Sequence, residues 1–374
     1  MFDGKPKKLL IVSDAWEPQT NGVVRSLGQM VLQAPAFGFT ATVIGPGEFK
    51  TLPCPSYPEI RLTASLFKTV QARLEATQPD YVHIATEGPL GWAARKWCIK
   101  NARTFTTSYH TRFPEYVSAR IKVPESWIYR GMRWFHKASA ACLVPTPTIV
   151  GILEQRGFQR LKIWTRGVNL EQFGIAPDAR EINTNRPKLL YVGRLAVEKN
   201  LDAFLSLNIA GEKIVVGDGP QRGELQARYP DVYFIGKLVG AELAKAYATS
   251  DVFVFPSKTD TFGIVMLEAL ASGLPIAALP VAGPLDVVGP YLERGGVNGQ
   301  QVACLSHNLK DAIEGCLGLS REHCRQFASA HSWHASAKQF YGHIRAANDD
   351  VVSHMKGPLL TTSQALDLSR LPQQ

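Results

Sequence analysis

Asp260 and Glu268 stand eight positions apart in PSKTDTFGIVMLEALASGLPIAALPVAGPLDVV, residues 256–288, and flank Phe262, Gly263 and Ile264. The block reads as loop, helix and strand, with Asp260 in the loop after a strand and the helix starting near Phe262. The unpaired N–H groups and the dipole of such a helix start attract an anion. A nucleotide diphosphate resting on the backbone of 262–264 would leave Glu268, about two turns on, to hold ribose hydroxyls, and Asp260 to hold a sugar. Taken alone, the two acids would read rather as a helix-start carboxylate and a surface glutamate; the whole block favours the ligand. Arg194 and Lys199, in YVGRLAVEKNL at 191–201, follow another strand. Two cations there can neutralise a diphosphate leaving group as its bond breaks. The alternative is two exposed cations, with Glu198 beside Lys199 in a surface ion pair worth about 0–1 kcal/mol.

Short β-branched runs alternate with helix-like stretches on both sides of these residues. KKLLIVS, TATVIG, YVHIAT, RTFTTS and ACLVPT read as buried strands, with GPLGWAARKWCIKNA and PTIVGILEQRGF as helices between them. A second series runs through PKLLYVGRL, EKIVVGDGP, DVYFIGKL, DVFVFPS and LPIAAL, with NLDAFLSL, GAELAKAYATS and FGIVMLEALASG as its helices. This alternation predicts parallel sheets covered on both faces, with ligands at the carboxyl ends of the strands. A chain of 374 residues suits two such domains. The expected division is residues 1–168, residues 169–345 and a loosely ordered tail, 346–374, with the stretch 166–187 as the linker. Two facing, doubly wound, Rossmann-like α/β domains would enclose a cleft.

The 256–288 block resembles the E-x7-E region of family-4 retaining glycosyltransferases of the GT-B fold, here as Asp260-x7-Glu268. The resemblance runs from Ile11 to about Phe340 and is to bacterial glycolipid-forming and α-mannosyl transferases in particular. It implies that Arg194 and Lys199 hold the donor diphosphate and that the Asn21-Gly22 loop in SDAWEPQTNGVVRSL brings Gly22 against the donor phosphates. His110, in TTSYHTRFPEYVSAR, matches the family's active-site histidine near the donor sugar, and Arg112 and Tyr116 could shape the acceptor pocket. GDGP at 217–220 matches the family's G-x-G-P turn, and Lys237 and Leu238 fall where the nucleobase is seated. The implied reaction transfers a hexose from a UDP- or GDP-linked sugar to an acceptor hydroxyl with retention of configuration. A nucleotide-sugar co-substrate is then required and no further cofactor; without a D-x-D triplet, no metal is implied. A sugar-nucleotide epimerase shares the fold and is the alternative reaction; a non-catalytic nucleotide-sugar sensor is the third option.

The net charge is +9, and its distribution points to the acceptor. Residues 1–168 carry 22 Lys and Arg against 11 Asp and Glu, whereas the rest of the chain carries 19 against 21. The plain account is a solvated basic surface that aids solubility. The functional account is an anionic partner for the first half. Trp127, Arg130, Arg133, Trp134 and Lys137 mix aromatic and basic side chains on one expected helix, which suits a lipid interface or a core flanked by snorkelling tails. A membrane lipid such as diacylglycerol is therefore the favoured acceptor, with a soluble glycan as the alternative. No zinc-finger, basic-zipper or RNP-type motif supports a nucleic-acid partner. There is no G-x-S-x-G elbow, H-E-x-x-H or phosphate-binding P-loop. No run of about 18 apolar residues suggests a membrane span, and no signal-peptide pattern opens the chain. Cys54, Cys98, Cys142, Cys304, Cys316 and Cys324 form no C-x-x-C pair. The expected location is the cytoplasm, peripheral on the inner face of the membrane, with the oligomeric state open.

Overall fold

The computed structural model describes residues 5–19, 21–54, 57–65, 67–110, 123–175, 186–293 and 300–355. Arg112 and Tyr116 lie outside these residues. The strands are β1 (Lys7–Val12), β2 (Phe39–Ile44), β3 (Thr51–Cys54), β4 (Tyr57–Thr63), β5 (Tyr81–Ile84), β6 (Thr106–Ser108), β7 (Ala141–Val144), β8 (Leu161–Ile163), β9 (Lys188–Val192), β10 (Glu212–Val216), β11 (Tyr233–Gly236), β12 (Val252–Phe255), β13 (Ile276–Ala278) and β14 (Ala303–Leu305).

Two six-stranded sheets result, ordered β2-β1-β5-β6-β7-β8 and β11-β10-β9-β12-β13-β14. Every pairing within them is parallel; β3 and β4 form a separate antiparallel hairpin. The apolar runs are continuous because both sheet faces are covered: all four residues of β7 and of β12 are buried. These are the two Rossmann-like units expected of a GT-B fold.

Each sheet has a point where strand order reverses. In the first sheet β1 is followed by β2 on one side and, later, by β5 on the other; in the second, β9 is followed by β10 and then flanked by β12. Such switch points open a crevice at the carboxyl ends of the strands. The loops after β1, β9 and β12 carry Gly22, Arg194 with Lys199, and Asp260, while His110 follows β6, next to β5.

The chain crosses between the units twice, side by side. Val168 pairs with Ser332 in a parallel bridge, and Val168 N–H donates to the His331 carbonyl at 2.9 Å. The stretch read as a linker is thus built into the fold at its start, and Phe173 is buried in the second unit's core. The helix Trp333–Met355 then returns to the first sheet. Trp333, Ala337, Phe340, Tyr341 and Ile344 join Leu9, Ile11, Leu27, Met30 and Phe39 in one core cluster. Tyr341 Oη donates to the Met30 carbonyl at 2.6 Å, and Trp164 Nε1 donates to Ser336 Oγ at 3.1 Å.

Two expectations differ from this arrangement. The expected division assigns residues 169–345 wholly to the second unit, yet the helix Trp333–Met355 covers the first. A loose tail is expected from 346, yet the helix continues to Met355 with Ala347 buried; residues 356–374 lie outside the described residues. Ile344 and Ala347 extend the 3.6-residue stripe begun by Phe340, and the polar residues between them hide it.

All seven tryptophans (16, 92, 97, 127, 134, 164 and 333) lie in the first unit or on the helix that covers it. Phe340 is fully buried, with its ring 4.7 Å from Trp164 and 5.0 Å from His83. Phe340→Ala should cost about 3–5 kcal/mol and lower the denaturation midpoint read by tryptophan fluorescence. An unchanged fluorescence transition would mean that the last helix is not part of the first unit's core.

Candidate active site

The loop after β12 is held from both ends. Asn200 Nδ2 donates to the Pro256 carbonyl at 3.0 Å, and Ser257 and Thr259 hydroxyls donate to the Glu198 carbonyl at 3.4 Å each. Gly263 ends the loop with φ +81° and caps the helix Ile264–Ala271. That left-handed turn suits glycine, and a Cβ there would press within 3.0 Å of the Phe255 ring and the Met266 methyl. The helix therefore starts two residues later than expected, at Ile264, behind a buried Phe262.

Lys199 Nζ lies 2.5 Å from Asp260 Oδ1, with both side chains about one-fifth exposed. The two residues, read separately in the sequence, thus form one charge pair between the loops that follow β9 and β12. Arg194 follows β9 in the same loop, where its carbonyl accepts from the buried Tyr191 hydroxyl at 2.9 Å. The GDGP turn presses onto this loop from behind, since a Cβ on Gly217 would meet the Gly193 carbonyl at 1.8 Å. A side chain at that position would push Arg194 out of place.

Opposite stands the start of the helix Gly22–Gln33. Asn21 Oδ1 accepts from Val23 and Val24 N–H at 3.0 Å each, so the cap residue already occupies part of this helix start. A Cβ on Gly22 would lie 3.8 Å from Ile264 Cδ1, which puts two helix starts from different units face to face. Asp14 anchors the loop before this helix. Its buried carboxylate accepts from Thr86 Oγ1 at 2.9 Å, Leu90 N–H at 2.9 Å and Gly91 N–H at 3.3 Å.

Glu268 departs from the surface-glutamate alternative. It is 2% exposed, with Oε1 2.7 Å from Arg25 Nη2 and Oε2 accepting from Tyr247 Oη at 3.0 Å. Burial raises its pKa, and Arg25 and Tyr247 work against that shift. Each carboxylate oxygen keeps a second lone pair, so two protein partners leave acceptor capacity for ribose hydroxyls. Arg25 belongs to the first unit, so this ion pair spans the crevice.

His110 is 8% exposed, and its carbonyl accepts from Thr261 Oγ1 at 2.9 Å, a second bond between the units. Arg166 Nη2 donates to His110 Nδ1 at 3.0 Å. Burial, then the charge of Arg166, holds the imidazole well below its ordinary pKa. A third link joins Thr148 Oγ1 to Asp286 Oδ1 at 2.7 Å. Lys237 and Leu238 follow β11, the edge strand two places from the switch point. Lys237 is exposed, and Leu238 packs against the second unit's core. Among the described residues, no three His, Cys, Asp or Glu side chains gather as metal ligands.

Along the crevice Gly22 meets Ile264, Arg25 pairs with Glu268 and Thr261 donates to the His110 carbonyl, while Lys199 and Asp260 pair within the second unit. Arg25, Arg166, Tyr247 and Thr261 share the crevice and are not singled out by the sequence. Arg25 has one faint signal, its position four residues beyond the Asn21 cap; Arg166 has none.

Residues 20–172 match the family described as Glycosyltransferase Family 4, and residues 186–318 match Glycosyl transferases group 1. A GDP-mannose-dependent alpha-mannosyltransferase of Mycobacterium tuberculosis is 30% identical over 91% of this chain and 96% of its own. An alpha-monoglucosyldiacylglycerol synthase of Streptococcus pneumoniae is 25% identical over 72% of this chain and 70% of its own. Among solved structures, sucrose-phosphate synthase from Thermosynechococcus elongatus superposes with a TM-score of 0.71 at 20% identity, covering 93% of this chain and 100% of that one.

Arg25→Ala should leave the Glu268 carboxylate buried with Tyr247 alone. Because the Arg25 side chain is 38% exposed, the expected loss is about 1 kcal/mol, or about 2–4 °C in melting temperature. The carboxylate pKa rises further in the variant, so its folded state binds more protons, and the deficit should shrink between about pH 7 and pH 5. A deficit equal at both pH values would mean that Glu268 is not the partner that matters.

Proposed function

This chain belongs to the family-4 glycosyltransferases of GT-B fold, and we propose that it is a retaining enzyme that moves a hexose from a nucleoside-diphosphate sugar to a lipid hydroxyl at a membrane surface. The observation that carries the donor half is the Lys199–Asp260 pair, set beside Arg194 and the Ile264 helix start at a switch point. A diphosphate brings negative charge to that place, and Lys199 can exchange Asp260 for a phosphate oxygen. Asp260 is then free to accept from a sugar hydroxyl.

The chemistry follows from that placement. The bond between the anomeric carbon and the β-phosphate oxygen breaks, and the electron pair leaves with the oxygen. Arg194, Lys199 and the helix start stabilise the departing charge. The acceptor oxygen bonds the anomeric carbon on the same face, and its proton passes to the leaving phosphate oxygen. Configuration is retained without an enzyme nucleophile, and His110 contacts the sugar near the reacting carbon. Gly22 approaches the phosphates, Glu268 the ribose, and Lys237 with Leu238 the base. Positioning supplies much of the rate.

GDP-mannose is the favoured donor because the relative matching nearly the whole chain is named for it. The lipid acceptor is supported by the diacylglycerol in the other relative's name and by one helix face. On the helix Glu125–Lys137, Trp127 and Trp134 are 72% and 56% exposed. Trp134 stacks on Trp92 at 5.2 Å, with the Arg95 guanidinium 3.9 Å from its ring. Arg130, Arg133 and Lys137 are also exposed on this helix. Exposed indoles among cations suit anionic headgroups. No described helix is long and apolar enough to cross a membrane, and attachment at the cytoplasmic face is the corresponding proposal.

Thermal shift should separate the donors: GDP-mannose at a hundred times its dissociation constant adds about 2.7 kcal/mol of stability, and UDP-glucose is the comparison. Lys199→Ala should reduce transfer about a hundredfold or more; undiminished transfer would remove the diphosphate assignment. In flotation at low salt, vesicles containing anionic lipid should retain the protein, and Trp127→Ala with Trp134→Ala should release it. Failure to float with either anionic or neutral vesicles would end the lipid proposal, and conversion of the donor to an isomer without acceptor would indicate epimerisation.

A further inference from the structure

His110 and Arg166 stand 56 residues apart in sequence and meet behind the crevice. A guanidinium carries only donors and stays protonated. Its 3.0 Å contact with Nδ1 therefore requires a lone pair on that nitrogen, and the proton of the neutral ring must sit on Nε2. Nε2 is buried and has no hydrogen-bond partner among the described residues. A buried donor without an acceptor destabilises a fold, and one beside a ligand crevice marks where a ligand oxygen belongs.

Arg166 is placed as a fixed support. It is 6% exposed, its Nη1 donates to the Trp164 carbonyl at 2.8 Å, and its guanidinium lies 4.2 Å from the Trp164 ring centre. No carboxylate pairs with it among the described residues. Trp164 is itself pinned by Ser336 from the last helix and faces the His110 ring edge-on at 5.7 Å. The donor to Nδ1 thus comes from the first of the two chain crossings, a part of the fold with little freedom to move.

We propose that Arg166 is the positioning residue for His110: it occupies Nδ1, fixes the imidazole as the Nε2–H tautomer, and so presents a single donor to a neutral oxygen of the transferred sugar. This rests on the assignment of His110 to the donor sugar. It makes His110 a hydrogen-bond donor at Nε2 and leaves that nitrogen unable to act as a base. The groups facing the ring support a neutral state: Arg166 from the crossing, His83 from β5 and His136 from the helix Glu125–Lys137 all oppose a charge there, after burial itself.

The test is direct. In the full-length protein labelled with 15N at histidine, the His110 resonances, identified by their loss in His110→Gln, should show a protonated Nε2 and a bare Nδ1 throughout about pH 5–8. An Nδ1–H ring or an imidazolium in that range overturns the proposal without any variant. Arg166→Met should release the ring to a tautomer mixture and lower kcat for GDP-mannose turnover about a hundredfold. The KM for the donor, set by the diphosphate contacts, should change less than about threefold, and Arg166→Lys should restore the tautomer and part of kcat. An unaltered His110 spectrum in Arg166→Met overturns the proposal whatever its kcat. If neither GDP-mannose nor UDP-glucose turns over, the functional assignment fails, while the tautomer measurement still decides the role of Arg166.

Discussion

A parallel strand can follow its neighbour only through a crossover that carries the chain back to the starting edge, so the loops that leave the strand ends all emerge on one side. Everything chemical in this molecule depends on that constraint. It collects residues from positions 14 to 268 along one crevice with no long-range device of their own. Two helix starts then face each other, one from each unit, close enough for Gly22 and Ile264 to touch. Each helix start carries partial positive charge, met at the first by the Asn21 side chain, and the Lys199–Asp260 pair joins the loops after β9 and β12. The tight turns at Gly263 and Gly217 keep the loops from drifting.

The contacts that join the units are of mixed character: Arg25 with Glu268, Thr261 with His110 and Thr148 with Asp286 are polar, whereas Ile264 packs against the first unit's core. The first contact is uneven, with one end buried and the other over a third exposed. The carboxylate end is fixed by Tyr247, whereas the arginine end is free to follow the first unit. Behind the crevice the first unit carries further buried histidines: His83 is bonded to Thr106 and Ser108, and His136 to Thr107 and Glu87. Burial pushes His83 down to about 3, so it stays neutral.

Much of this was legible in the residues. The β-branched runs were strands because a sheet covered on both faces leaves no polar alternation to confuse the pattern, and the two series separated into two sheets. Lys199 and Asp260 each stand out in their own loops, although their pairing across 61 positions is not readable there. Glu268 stands out by its spacing from Asp260, but its contacts with Arg25 and Tyr247 come from elsewhere in the fold. Arg166 lay in a stretch that read only as a connection, and nothing local shows that a histidine waits for it. The helix Trp333–Met355 departs from the expectation because its partner surface, the Leu9 and Met30 face, lies about 300 positions away. Helix periodicity reports which side is apolar; it does not report which unit that side will cover.

That distance has a consequence for biosynthesis. The ribosome makes the first sheet early, yet the helix that shields its Leu9–Ile11–Met30 side follows about 300 residues later. At translation rates of about 5–20 residues per second, the wait is roughly 15–60 s. During that interval the nascent first half holds an uncovered greasy face together with most of the chain's positive charge. The first unit is therefore closed only after the second has been synthesised, and the second can fold before it.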